Sequence, residues 1–378
     1  MTIYAVAVLS FFLHCGFGGG RVTITLFAID QGASAATIGV LMSLLALFPT
    51  VLAVPLGRLS DRIGVRRPAL IGSFGVTLAL SLAAALPALT TLFVAVLLLG
   101  TSFTCYQVAI TNLVGALGEP KERTRNYSVL SLGFAGASFL GPLIAGFAID
   151  GLGHRLTFFL LTFWAATPLV TMLVRPKLLP DLRIKQGAAK RSSILDLLRI
   201  PKLRDTFIVG GVLSSAWDLY QFLLPIYAHS LGLSASVIGM VLSSFAVAIF
   251  AVRASIPALS RRYGEGHLIT AAIFVCGLAF AIFPFCGNAW LLALASVVLG
   301  FGVGAGQPIA MTLIYNLAPA GRQGEATGVR VSVNHMAHVA VPLFFGTMGT
   351  ALGYAPIFLI NAGLLMICSY ISKRSYMQ

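Results

Sequence analysis

Charge is what this 378-residue chain has least of, and acid above all: eleven Asp and Glu stand against 25 Lys and Arg. Charged residues make up 10% of the chain, where an ordinary soluble domain carries roughly 25%. So few charges cannot cover a water-facing surface. That excludes a soluble nucleic-acid-binding module in spite of the formal net charge of +14. The five cysteines (Cys15, Cys105, Cys276, Cys286 and Cys368) form no CxxC and show no metal-type spacing, so they read as small apolar core residues. No Walker motif, no cluster of metal ligands and no catalytic grouping of serine, histidine and acid occurs. ATP-driven transport and enzymatic chemistry therefore lack support, and neither a cofactor nor a metal is expected.

Apolar residues fill the space that charge leaves. Hydrophobic residues reach 58% and the mean hydropathy is +0.94, the composition of an integral membrane protein. Apolar stretches run at roughly 3–28, 35–57, 68–88, 91–116, 127–150 and 155–174, and again at 206–229, 234–257, 267–286, 289–316, 325–350 and 354–372. Each meets the ~20 residues that a spanning helix requires. The expectation is an all-α membrane protein of twelve transmembrane helices in two six-helix halves, 1–174 and 206–378, joined by a basic cytoplasmic linker at 175–205. The first stretch has no basic leader and carries His14 and Arg21, so it reads as a retained span. With the N-terminus in the cytoplasm, 21 of the 25 Lys and Arg fall on the cytoplasmic side, which predicts cytoplasmic N- and C-termini in a plasma membrane, most simply a bacterial inner membrane.

The chain repeats itself at an offset of 200 residues. Ala28–Gly64 lies over Ala228–Gly264 without a gap, matching Gly32 with Gly232, Gly39 with Gly239, Arg62 with Arg262 and Gly64 with Gly264. The same offset carries Gly100 onto Gly300, Gln107 onto Gln307, Pro142 onto Pro342 and Gly146 onto Gly346. Two parallel halves are a transporter design, with a site near the midplane between them.

After the second stretch the chain reads Gly57-Arg58-Leu59-Ser60-Asp61-Arg62-Ile63-Gly64-Val65-Arg66-Arg67. This resembles the signature of the major facilitator superfamily, G-x-x-x-D-R-x-G-x-R-R, complete at its fixed positions. With the twelve spans and the repeat, the resemblance covers essentially the whole chain. It implies that Gly57, Asp61, Arg62, Gly64, Arg66 and Arg67 serve gating. The second copy departs from the pattern, with Pro257 for the first glycine and Arg261 for the aspartate. The fifth stretch holds Gly141-Pro142-Leu143-Ile144-Ala145-Gly146, similar to the Gly-Pro motif of the drug/proton antiporter branch, which adds Gly141 and Pro142 to the gating set. Ala145 stands where that branch usually has glycine, and the arginine it often carries in the fourth helix is absent from 99–107.

Charges at membrane depth cost at least about 2.5–3.5 kcal/mol each, so each needs a reason. Asp218 is the one acid well inside a span, ~18 Å from the start of the seventh stretch. It is the candidate proton carrier, or else one side of an ion pair with Arg21 or Arg330. Ser214, Asp218 and Gln221 share a helix face, and Trp217 and Tyr220 lie beside them. Arg330, Asn334 and His338 form one polar stripe at i, i+4 and i+8. The candidate substrate-binding set is therefore Arg21, Gln107, Trp217, Tyr220, Gln221, Gln307, Arg330, Asn334 and His338.

The glycine run Gly300–Gly306 lies inside an apolar span and reads as helix packing, not as a nucleotide loop. The expected activity is proton-coupled efflux of a small amphiphilic drug or metabolite by alternating access. The alternative is proton-coupled transport of a small organic anion clamped by Arg21 and Arg330. The expected partners are substrate, protons and membrane lipids, without nucleic acid, and the chain is expected to be a monomer.

Overall fold

The computed structural model describes residues 3–117, 123–178, 194–319 and 323–377, and among them there is no β-strand. The helices are α1 (Ile3–Asp30), α2 (Ala35–Ile63), α3 (Arg66–Ala85), α4 (Leu89–Ala116), α5 (Arg123–Val174), α6 (Ile194–Leu198), α7 (Pro201–Ser230), α8 (Ala235–Tyr263), α9 (Glu265–Ile282), α10 (Ala289–Leu317), α11 (Gln323–Leu352) and α12 (Tyr354–Met377). Apolar surroundings offer no partner to a bare N–H or C=O, so a helix that bonds its own backbone is the stable local answer. Hydroxyls follow the same logic: Thr23, Thr77, Thr101 and Ser296 each donate to the carbonyl four residues back.

Among the described residues, ten segments are long and apolar enough to cross a membrane. One of them, Val129–Val174, is two helices continued through Gly153, whose φ of 78° and ψ of 168° break the helix. α11 has the length of a span, but its polar stripe leaves it outside those ten. α6 is a short helix in the basic segment, of which residues 179–193 lie outside the described residues.

The chain folds as two compact units. Unit 1 comprises Met1–Ala33, Leu41–Ala188 and Ser234–Ser243; unit 2 comprises Ser34–Val40, Ala189–Leu233 and Ser244–Gln378. The first turns of α2 and α8 thus each belong to the unit opposite to the rest of their helix.

In unit 1, α1 lies against α5 through small residues. A Cβ on Gly16 would sit 3.0 Å from that of Ala165, and one on Gly19 2.9 Å from the Gly141 carbonyl. α3 meets α4 as closely, Gly72 against the backbone nitrogen of Tyr106 and Gly75 against Ser102. Without a hydrophobic drive between helices in lipid, such close approach supplies the packing. Unit 2 is more aromatic: Phe283 stacks on Phe358 at 5.2 Å, and Phe280 meets both.

The 200-residue repeat is built into the backbone. Positive φ is confined, among the described residues, to Gly32, Gly64 and Gly153 and their counterparts Gly232, Gly264 and Gly353, all between 75° and 84°. Six turns thus demand the one residue without a Cβ. Packing repeats as well: Phe27 contacts His154 and Phe158, and Tyr227 contacts Tyr354 and Phe358.

Candidate functional site

The polar side chains of α7, α10 and α11 meet inside unit 2. Ser214 and Asp218 are one turn apart on α7, Asn334 and His338 one turn apart on α11, and the two pairs join in register. Ser214 Oγ lies 2.8 Å from Asn334 Oδ1, and His338 Nδ1 lies 2.5 Å from Asp218 Oδ1. Matching +4 steps mean that the two helices run in the same direction here. From α10, Gln307 Nε2 donates to Ser214 Oγ at 3.0 Å, and Ser214 also lies 3.0 Å from its own helix at the Gly210 carbonyl. The result is a chain of donors and acceptors, Gln307 to Ser214 to Asn334, one turn away from an acid–imidazole pair.

The pair is unevenly buried, with the Asp218 side chain 6% exposed and that of His338 38%. Its second oxygen, Asp218 Oδ2, is buried with no hydrogen-bond partner among the described residues. A buried charge is expensive unless it is paired, and an unmet buried acceptor costs about 1–3 kcal/mol.

Of the expected residues, the structure therefore brings together Asp218, Gln307, Asn334 and His338. The acid is paired with His338. Arg330, two turns before His338 on α11, is half-buried, and its Nε is without a partner among the described residues. Trp217 packs its ring on Phe245 at 5.1 Å. Tyr220 is fully buried in unit 2, its ring against Phe245 and Phe283. Gln221 is half-buried on α7.

Unit 1 fills the matching positions differently. Ser214, Trp217 and Asn334 correspond by the repeat to His14, Phe17 and Phe134. His14 stacks on Phe134 at 4.1 Å and meets Phe103 edge-on, and Phe17 stacks on Phe103 at 3.7 Å. The His14 Nδ1–H donates to the Ser10 carbonyl at 2.8 Å, and Nε2 is buried without a partner among the described residues. This aromatic layer is absent from the expected site, although carrying Trp217 and Asn334 back by 200 leads to Phe17 and Phe134. Arg21 on α1 and Gln107 on α4 are half-buried in the same unit.

Among the expected gating residues, Gly57, Asp61 and Arg62 lie outside the residues whose side chains are described. Gly64 takes its positive φ between α2 and α3, Arg66 begins α3 with a buried Nε lacking a partner among the described residues, and Arg67 is exposed. Gly141 and Pro142 form a packing node in unit 1. Gly141 presses on α1 at Cys15 and Gly19, and the Pro142 carbonyl comes so close to Gly239 of α8 that a Cβ there would lie 2.6 Å away. In unit 2 the Pro342 carbonyl approaches Gly39 in the same way.

One contact was not foreseen. Asp150 accepts from the backbone N–H groups of Ala235 at 3.0 Å and Ser236 at 2.8 Å, and so caps the start of α8 within unit 1. A helix start leaves four N–H groups unmet, and a carboxylate there also meets the positive end of the helix dipole. The residues that cap and those that are capped are far apart in the chain, so no local signal reveals the contact.

Known proteins agree with this architecture. The family model of the Major Facilitator Superfamily matches residues 6–287 and 206–374. The tetracycline resistance protein, class G, of Vibrio anguillarum is 26% identical over 354 residues, which cover 89% of this chain and 88% of that protein. The multidrug resistance protein MdtG of Dickeya zeae (strain Ech586) is 24% identical, covering 91% and 86%. Among solved structures, a mutant of the nucleoside transporter NupG superposes with a TM-score of 0.83 at 16% identity, over 99% of this chain and 100% of that one. A POT family transporter bound to a thioalcohol-conjugated peptide gives 0.83 at 14%, over 98% and 94%. Fold, repeat, loop signature and relatives converge: this chain belongs to the Major Facilitator Superfamily and is a multi-pass membrane transporter.

Proposed function

We propose that this transporter exports a small amphiphilic drug or metabolite in exchange for protons, by alternating access in a bacterial inner membrane with both termini cytoplasmic. The observation that carries the reading is the Asp218–His338 pair, a buried carboxylate held at 2.5 Å by an imidazole and left with one open oxygen. The pair takes up a proton when exposed to one side and releases it when exposed to the other. Gln307, Ser214 and Asn334 supply directional hydrogen bonds one turn away. The stacked rings of His14, Phe17, Phe103 and Phe134 supply the apolar recognition that an amphiphile requires. Gln107, Trp217 and Gln221 complete the substrate set of this reading. The halves 1–174 and 206–378 move about the linker at 175–205, with Asp61, Arg62, Gly64, Arg66 and Arg67 as the lock and Gly141–Pro142 as the hinge seam. Relatives named for tetracycline and multidrug resistance favour export of such compounds.

A second reading, transport of a small organic anion, draws on the open Nε of Arg330. Proteoliposomes holding the purified protein separate the two. For export, Asp218→Asn abolishes transport driven by a pH gradient while Arg21→Ala leaves substrate binding largely intact. Loss of binding itself in Arg21→Ala or Arg330→Ala selects the anion reading. Unchanged pH-driven transport by Asp218→Asn removes the proton role from Asp218.

A further inference from the structure

We propose that unit 1 carries a binding site for one anionic phospholipid, in a groove between α1 and the second helical segment of α5. The groove holds about 590 Å³, within the roughly 300–1,000 Å³ usual for small-molecule sites. Its walls are exposed Tyr4 and Val8 with half-buried Phe12 on α1, and the antiparallel exposed stripe Val170 and Val174 on α5. From Tyr4 to Phe12 it runs ~12 Å along the helix axis. Its far end is closed by Phe12, whose ring lies 5.2 Å from that of Trp164.

Two threonines also line the groove without making it polar. Thr167 and Thr171 donate their hydroxyls to the carbonyls of Phe163 and Thr167, which leaves their methyl groups for the lining. Apart from its near end, the groove therefore matches a hydrocarbon chain and offers no unmet donor along its length.

That near end differs. Arg175 follows the last turn of α5, lines the groove, and is exposed. No acid among the described residues pairs with it. Tyr4, at the opening turn of α1, stands at the same end, where an amphipathic ring meets the headgroup level. An apolar slot ending at a guanidinium that no described acid neutralises complements a lipid whose headgroup carries net negative charge. Phe12 and Tyr4 thus fix the length of the chain segment held, and Arg175 selects the headgroup.

Native mass spectrometry of the purified protein, offered equal amounts of phosphatidylglycerol and phosphatidylcholine with the same acyl chains, tests the site. Wild type is expected to retain phosphatidylglycerol about fivefold over phosphatidylcholine, which corresponds to the ~1 kcal/mol that one basic side chain contributes towards anionic lipid. Arg175→Ala, an exposed substitution, brings the two lipids to parity, and Arg175→Lys keeps the preference. Val170→Trp fills the groove and reduces retention of both. If Arg175→Ala keeps the wild-type preference, or Val170→Trp folds and retains lipid as wild type does, the bound lipid is only annular and the site is overturned. Should Val170→Trp fail to fold, the Arg175→Ala result decides alone.

Discussion

Removing the imidazole from the Asp218–His338 pair gives the sharpest test of what that pair is. His338→Ala leaves a carboxylate that is 6% exposed with neither oxygen partnered, because Oδ2 already has no partner among the described residues. Breaking a fully buried pair costs about 3–5 kcal/mol. The His338 side chain is 38% exposed, so the pair is only partly enclosed, which lowers the expected cost to about 2 kcal/mol. Asp218→Asn removes the charge at nearly constant volume and is expected to be close to neutral for stability. The double variant Asp218→Asn with His338→Ala then has no buried charge to strand, and should unfold within about 0.5 kcal/mol of Asp218→Asn alone, the margin within which independent sites add. Thermal or denaturant unfolding of the four proteins in one detergent closes the cycle. A coupling of about 1.5–2 kcal/mol, somewhat more than tenfold in the unfolding equilibrium, is the expected result. Strictly additive losses would refute the reasoning, since the acid and the imidazole would then not depend on each other.

Other substitutions probe the frame around the site. A Cβ on Gly100 would run straight into the Leu45 carbonyl, whereas one on its repeat partner Gly300 would lie 2.6 Å from that of Phe245. Gly100→Ala should therefore lower the unfolding temperature more than Gly300→Ala, and the reverse order would show that α2 yields more readily than α8. Ser214→Ala takes away the shared partner of Gln307 and Asn334. The expected loss is about 1–3 kcal/mol in unfolding experiments, with a weaker substrate affinity in binding titrations. Asp150→Ala strips two N–H groups at the start of α8 of their acceptor and should cost about 1 kcal/mol. Hydrogen exchange at Ala235 and Ser236 should rise, and unchanged protection there would dismiss the cap.

The fold is legible in the sequence because lipid leaves so few choices. About twenty apolar residues in a row have one stable backbone arrangement, and the 200-residue offset announces the repeated backbone. Gly32 and Gly64 stand out with their partners, and only the third pair, Gly153 and Gly353, lacks enough identical neighbours to be noticed. The chemistry of α7 and α11 is also readable, since polar residues at i and i+4 on an apolar helix need a partner. Which partner is not readable. Asp218 invites an arginine by charge, but the register of two parallel helices delivers His338, and register depends on how the small residues seat the helices. The aromatic layer of unit 1 escapes for a different reason. Phe17, Phe103 and Phe134 are ordinary in an apolar span, and only the cluster built on His14, with Phe134 on its face, Phe103 at its edge and Phe17 on Phe103, sets them apart. The carboxylate of Asp150 looks like a loop charge, because its use depends on backbone 85 residues away.

The acid–imidazole pair also has a consequence for how the protein is made. Asp218 precedes His338 by 120 residues, so α7 is synthesised well before the helix that completes its pair exists. Threonine and serine hydroxyls in these helices carry their own remedy, a carbonyl one turn back, and can enter the bilayer unaided. Asp218 has no such local remedy. Until α11 arrives, α7 holds an unmatched carboxyl whose insertion is opposed by about 2.5–3.5 kcal/mol, offset by the apolar residues around it. The second half of the chain is therefore the vulnerable one during biogenesis, and truncation before residue 338 should leave α7 as the helix most exposed to quality control.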